Sequence, residues 1–323
     1  MKWTQLPLSL LVLSLYCSIS VTAHDGPVTM PFGMQQRTSF GVAKILTADH
    51  AQKRTPDRRH IHHTHAAISS IRGGGSIDTK LVAATAGTCI LTLYGIACAL
   101  SPDEVIKGYG ITEVDPVLSR FARNAGTLTC SATLVLWSLL YSKTSVNTSV
   151  GVAGVVYALR TCYNILTHSP AMLFGSTITE SIGLAISAFT AYATLTDGAS
   201  ADIALKTFGL AQLLPGLFMY LVPGPLIASI TNQKLEKGER APDILPMICR
   251  NHGDNLLING AFFTALAMGY DVINAFAYTW FVAAAGMGGM VLNDIPKYTP
   301  TVVGPTKVWV AICAITASLM KFG

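Results

Sequence analysis

A charged side chain inside a long apolar run costs free energy unless it is paired or used, so such residues are the first candidates for chemistry. Arg160, in Val156-Tyr157-Ala158-Leu159-Arg160, and Glu180, in Thr177-Ile178-Thr179-Glu180-Ser181, occupy successive apolar runs around a short turn at His168-Ser169-Pro170. Antiparallel helices joined by that turn would bring the two to similar depth. They would then form either an ion pair locking the bundle or a proton, ion or substrate site. A second set, Arg123-Asn124 and Arg250-Asn251 with His252 and Asp254, opens two other runs. One reading is that these arginines anchor at lipid headgroups, where long cationic side chains snorkel. The other is that they face each other and bind an anionic headgroup or substrate. His252 and Asp254 resemble part of an acid–base pair, but residues two apart on a helix point in different directions. His60, His62, His63 and His65 follow Arg58-Arg59 in a tract that could chelate a metal. Without a scaffold to fix their geometry, the tract reads equally as a solvated linker.

The elements that would carry these residues are apolar helices. Of 323 residues, 51% are hydrophobic and 12% charged, with a mean hydropathy of +0.47. Soluble domains carry about 25% charged residues, and here the few charges are clustered, leaving runs long enough to span a bilayer. The seven cysteines show no CxxC and no paired spacing, so neither a disulfide framework nor a zinc site is indicated. Six of them read as small apolar side chains within the runs. No basic stripe interleaved with aromatics follows Lys80, which argues against nucleic-acid binding.

Residues 1–23 predict a secretory signal peptide: Lys2, an apolar stretch from Leu6 to Val21, and small residues at Val21-Thr22-Ala23 before a cut at His24. Residues 24–79 predict a basic, His-rich, largely disordered tail; from 24 to 80 there are eight Lys or Arg against four Asp. A membrane of the secretory or endomembrane system follows from the signal. A signal followed by a basic, acid-poor stretch also resembles the bipartite presequences of algae with complex plastids, which implies a plastid membrane. His24 stands where those presequences usually place an aromatic residue.

After Lys80 the apolar runs fall near 80–100, 124–142, 148–167, 174–195, 205–230, 254–270, 272–293 and 305–321, predicting about eight transmembrane helices. The fold class is therefore all-α and polytopic. A shift of 127 residues lays Arg123-Asn124-x-Gly126 on Arg250-Asn251-x-Gly253, Leu118 on Leu245, Leu139 on Leu266 and Asn147 on Asn274. Residues 80–200 and 201–323 are accordingly expected to be two parallel four-helix repeats. Arg160 and Glu180 have no counterparts at this offset, where Met287 and Lys307 stand. After residue 80 one face carries Lys143, Lys206 and Lys321. The other carries Lys107, Arg120, Arg123, Lys234, Lys237, Arg240, Arg250, Lys297 and Lys307, which marks it as cytosolic. The sequon Asn147-Thr148-Ser149 falls in a short lumenal turn near the bilayer, where modification would be inefficient. Pro215, Pro223 and Pro225 in the fifth run suggest either an interrupted span or a helix ending near Val222 with an interfacial segment after it. Gly286-Met287-Gly288-Gly289 reads as close helix packing.

Ala122-Arg123-Asn124-Ala125-Gly126 opens a helix that is followed by a short polar turn and another helix, over about 50 residues. This layout is similar to that of the four-span family of sterol-biosynthesis scaffold proteins. That family is not tandemly repeated, and the chain is not assigned to it. The expected function is binding or transport of a small molecule, ion or lipid between two four-helix halves. The alternatives are a membrane-embedded enzyme acting on a lipid or quinone, and a non-catalytic scaffold. The bilayer is the expected partner, with a small-molecule or lipid ligand; no cofactor is called for, and oligomeric state is not legible.

Overall fold

The computed structural model describes residues 78–142, 144–167, 177–236 and 238–323. The expected signal peptide (1–23), all but the last two residues of the expected basic tail (24–79), and His60, His62, His63 and His65 lie outside the described residues. Every regular element among those described is helical. The long ones are α1 (Thr79–Leu100), α3 (Pro116–Tyr141), α4 (Val146–Thr167), α5 (Thr177–Leu195), α6 (Ala201–Leu221), α8 (Leu245–Ala267), α9 (Val272–Asn293) and α11 (Val303–Phe322). Three short ones are α2 (Pro102–Gly108), α7 (Gly224–Glu236) and α10 (Ile295–Tyr298).

Aspartates start three of the long helices. Asp78, Asp115 and Asp271 accept hydrogen bonds from the backbone N–H groups of Leu81 (3.1 Å), Val117 (2.8 Å) and Asn274 (3.0 Å). Each satisfies a donor the helix cannot pair internally. α3 and α4, α5 and α6, and α8 and α9 are joined across only four or five residues at one end of the bundle, which forces each pair to run antiparallel. The opposite end holds the longer connections, with α2, α7 and α10.

Five helices are long and apolar enough to cross a membrane: Thr79–Leu100, Val146–Leu166, Ala201–Leu221, Val272–Asn293 and Pro300–Phe322. Their outward faces expose Leu93, Leu159, Ile203, Leu214, Val308 and Ile315. So much apolar side chain open to the surroundings is unusual for a soluble monomer and is compatible with a multi-pass membrane protein. α3 and α8 are not in that set, and most of their residues are buried by other helices. Shielded from the surroundings, they can carry Arg120, Asn124, Asn255 and Asn259, which would be costly on a lipid-facing helix.

Each long helix packs on the next in the chain, α11 packs back on α1, and α3 packs on α8 across the middle. Two crossings depend on glycine. A Cβ on Gly126 would run into the backbone of Gly95 and Ala99, joining α3 to α1. A Cβ on Gly253 would run into Gly216 and Tyr220, joining α8 to α6 in the same manner. An aromatic run then crosses the core: Tyr157 on Phe208 (5.2 Å between centroids), Phe208 on Phe263 (4.9 Å) and Phe276 on Trp280 (5.9 Å). Such pairs each add about 0.5–1.5 kcal/mol beyond area burial.

The helix bounds refine several expectations. α3, α4 and α5 precede α8, α9 and α11 by close to 127 residues, but α1 starts 122 before α6. The 127-residue shift therefore does not carry the first helix; the connection through α2 is shorter than that through α7. Pro215 does not interrupt α6, which ends at Leu221 with Val222 as its cap, and α7 is the segment that follows. Asn147 lies in the first turn of α4 rather than in the loop, and its Nδ2 donates to Asp197 Oδ1 (2.7 Å). Six cysteines are free thiols among the described residues.

Candidate functional site

One face of α8 carries Asn251, Asp254, Asn255, Ile258, Asn259 and Phe262. Their spacing of three and four is the helical repeat that aligns side chains in a stripe. The stripe forms one wall of a chamber of about 500 Å³ completed by α1, α2, α3, α9 and α11. That volume is within the range of small-molecule sites. The remaining wall is mostly apolar and aromatic, including Leu136, Phe276, Trp280, Ala283 and Trp309.

Asp254 is 2% exposed, and its Oδ1 has no hydrogen-bond partner. The carboxylate lies against the Cα of Gly286 on α9, where any Cβ would overlap it. Gly286 thus has a specific use, and the glycine-rich stretch on α9 is a packing surface. Two donors close to Asp254 are engaged elsewhere. Arg250, one turn earlier on α8, gives Nη1 to Asp294 Oδ1 (2.6 Å), and Tyr220 donates its hydroxyl to the Gly286 carbonyl (2.7 Å).

The amides of the stripe face one way. Asn255 Nδ2 donates to the Asn251 carbonyl (2.8 Å) and Asn259 Nδ2 to the Asn255 carbonyl (2.7 Å). Only the NH2 group can make these bonds, so each side-chain oxygen is left to accept and one N–H of each amide to donate. The hydroxyls behave alike: Thr129, Thr279 and Thr306 donate to the carbonyls of Ala125 (2.9 Å), Ala275 (3.0 Å) and Val302 (2.7 Å). On the α1 side, Gly87 makes room for Trp280, whose buried Nε1 lacks an acceptor. Val105, Gly108 and Tyr109 of the α2 segment cover the chamber at the end with the longer connections. Gly110, at a φ of +81°, brings that segment against Thr301.

The residues singled out in the sequence are placed in three locations. Asn251 and Asp254 line the chamber. His252 points away, 5% exposed and edge-on to Phe121 of α3 with ring centroids 5.1 Å apart; the 100° turn between successive residues separates it from Asp254. Arg250 is tied to Asp294, Asn124 is 4% exposed on α3, and Arg123 is half-buried beside it. Of the residues expected to face each other, Asp254 lines the chamber, Arg250 bonds Asp294 and His252 packs on Phe121.

Arg160 and Glu180 attract each other across α4 and α5, and Arg120 of α3 shares their field, attracted by Glu180 and repelled by Arg160. Arg120 had been grouped with the loop charges; it is 8% exposed within α3. None of these three lines the chamber. Sequence reasoning passed over Asn255, Asn259 and Trp280. The recurrence of Asn at 251, 255 and 259 was the available signal, since three amides four apart must share a helix face. Among the described residues, no group of three or more His, Cys, Asp or Glu could hold a metal.

Known proteins offer no guide. No family model, no curated protein and no solved structure matches the chain. Its function is read from the chamber itself.

Proposed function

We propose that this chain is an eight-helix membrane protein of two parallel four-helix halves that binds, and carries, a small and largely apolar molecule in the chamber between them. The observation that bears the most weight is the chamber: about 500 Å³, walled by aromatic and aliphatic side chains, with one buried carboxylate and a row of amides on a single helix face. The first half would be α1, α3, α4 and α5, and the second α6, α8, α9 and α11. The pairing of Gly95–Gly126 with Gly216–Gly253, and the helix order that closes α11 onto α1, support that division. α1 and α3 from one half and α8, α9 and α11 from the other contribute to the wall, as expected for a site at a repeat interface. A scaffold would have a filled interior. An enzyme acting at the membrane surface would group Arg123, Arg250, His252 and Asp254; that Arg250 bonds Asp294 while Asp254 lines the chamber favours binding over this alternative. Delivery to the secretory or endomembrane system would follow from the N-terminal signal.

Native mass spectrometry of the protein in lipid nanodiscs tests this reading. A bound molecule of low mass should accompany the wild type and be lost from Ala283→Trp, which places a large ring in the chamber. A wild type that carries nothing, with an Ala283→Trp variant of unchanged mass and thermal stability, would sink it.

A further inference from the structure

Asp254 is the one charged side chain among the described residues that line the chamber, and this specifies the ligand beyond its size. Asp254 is 2% exposed, and its Oδ1 is unpartnered. Asn255 and Asn259 each spend one N–H on their own helix, leaving the side-chain oxygen to accept and one N–H to donate. Thr129, Thr279 and Thr306 have likewise given their protons to backbone carbonyls. An unpartnered buried carboxylate is strongly disfavoured unless something supplies charge or protons to it. Arg250 and Tyr220, the donors beside it, are committed to Asp294 and Gly286. Around this stripe stand Trp280, Trp309, Phe262, Phe276 and Tyr94, whose faces attract cations.

We infer that the chamber selects an organic cation: a compact apolar body bearing a protonated amine, with the ammonium on Asp254 and the α8 amide oxygens and the body against the aromatic wall. This rests on the proposed binding function and names its ligand class. An inorganic cation would need several oxygen ligands closing on it, whereas the chamber offers one carboxylate and far more space than an ion fills. The residues that set the class are Asp254, Asn255 and Asn259; the aromatics set the affinity.

Three cage compounds of nearly equal size separate the possibilities: 1-adamantylamine, 1-adamantanol and adamantane-1-carboxylate. Each is titrated into the nanodisc-embedded protein, with emission from Trp280 and Trp309 reporting occupancy. The amine should bind at least about tenfold more tightly than the alcohol, as a charge-assisted contact requires, and the carboxylate more weakly than either. Asp254→Asn should bring the amine down to the alcohol's affinity and leave the alcohol unchanged. Equal binding of amine and alcohol by the wild type, or a preference for the carboxylate, overturns the cation assignment while leaving a small-molecule chamber in place. Sodium chloride displacing the amine more effectively than choline chloride at equal ionic strength also overturns it, in favour of an inorganic cation. No binding of any of the three overturns the chamber reading and this inference with it. Should Asp254→Asn fail to fold, Asn259→Leu tests the same stripe, with an expected loss of amine preference.

Discussion

At the residue scale the tightest constraint is between Asp254 and Gly286. In Gly286→Ala the new methyl overlaps the carboxylate, so the acid must rotate or α8 and α9 must part. Overpacking of this kind costs about 1–3 kcal/mol. Thermal unfolding in detergent should show that loss, and Gly286→Ala combined with Asp254→Ala should be less destabilised than the sum of the single changes. Additive effects would mean that the two residues do not meet. Lys234 is a second test. It lies between Asp115 (2.8 Å) and Glu239 (3.0 Å) and fastens α7 to the start of α3. Burial alone would lower its pKa, but the two carboxylates outweigh burial and raise it above the ordinary ammonium value. A raised pKa means the stabilisation is complete below the unfolded value, about 10.4, and is lost only as pH climbs through the higher folded one. Asp115 is 20% exposed and Glu239 57%, so Asp115→Asn should cost about 1–3 kcal/mol and Glu239→Gln about 0–1 kcal/mol. Equal losses in a melting experiment would contradict the burial argument. Asp254 was legible in the sequence as part of a polar cluster opening an apolar run. Its surroundings were not: attention to charged neighbours joined it to His252, while its companions were the uncharged Asn255 and Asn259 a full turn apart.

At the element scale, glycine sets the helix spacing. Gly126→Ala and Gly253→Ala each press a methyl into a facing backbone and should each cost about 1–3 kcal/mol. Gly183→Ala on α5 meets nothing within 4 Å, so replacing a flexible glycine there should gain up to about 1 kcal/mol. Melting temperatures that fall equally in all three variants would deny the crossings their role. Much of this layer was legible. α8, α9 and α11 begin close to 127 residues after α3, α4 and α5, because apolar length and the Arg-Asn-x-Gly motif mark these helices locally. Pro215 was ambiguous because sequence shows the hydrogen bond that proline removes but not the α8 surface that holds α6 together around it. α3 and α8 fall below the apolar threshold of a spanning helix for a related reason: their polarity is tolerated by burial against other helices, a tertiary property that no hydropathy window contains.

At the scale of the whole molecule, the excess of Lys and Arg at the end bearing α2, α7 and α10 predicts that this end faces the cytosol. Sealed microsomes carrying Gly238→Cys or Gly198→Cys check it. A membrane-impermeant maleimide should reach position 238 directly and position 198 only after detergent; the reverse pattern would invert the protein. Both glycines are exposed and lie outside the helices; Gly238 has a φ of +73°, so its cysteine strains a surface turn without meeting a neighbour. The walls of the chamber carry one more consequence. Ile90, Gly108 and Pro305 line it and are themselves exposed, and Ile90 sits in the middle of α1, on a level with the acyl chains of a surrounding bilayer. A ligand entering at that height would come from the lipid phase rather than from water. Equilibrium occupancy is the same by either route, so the route shows in the rates: across a series of amines at equal free aqueous concentration, the association rate should rise with the membrane partition coefficient. A chamber filled from the aqueous phase would show association rates indifferent to partitioning.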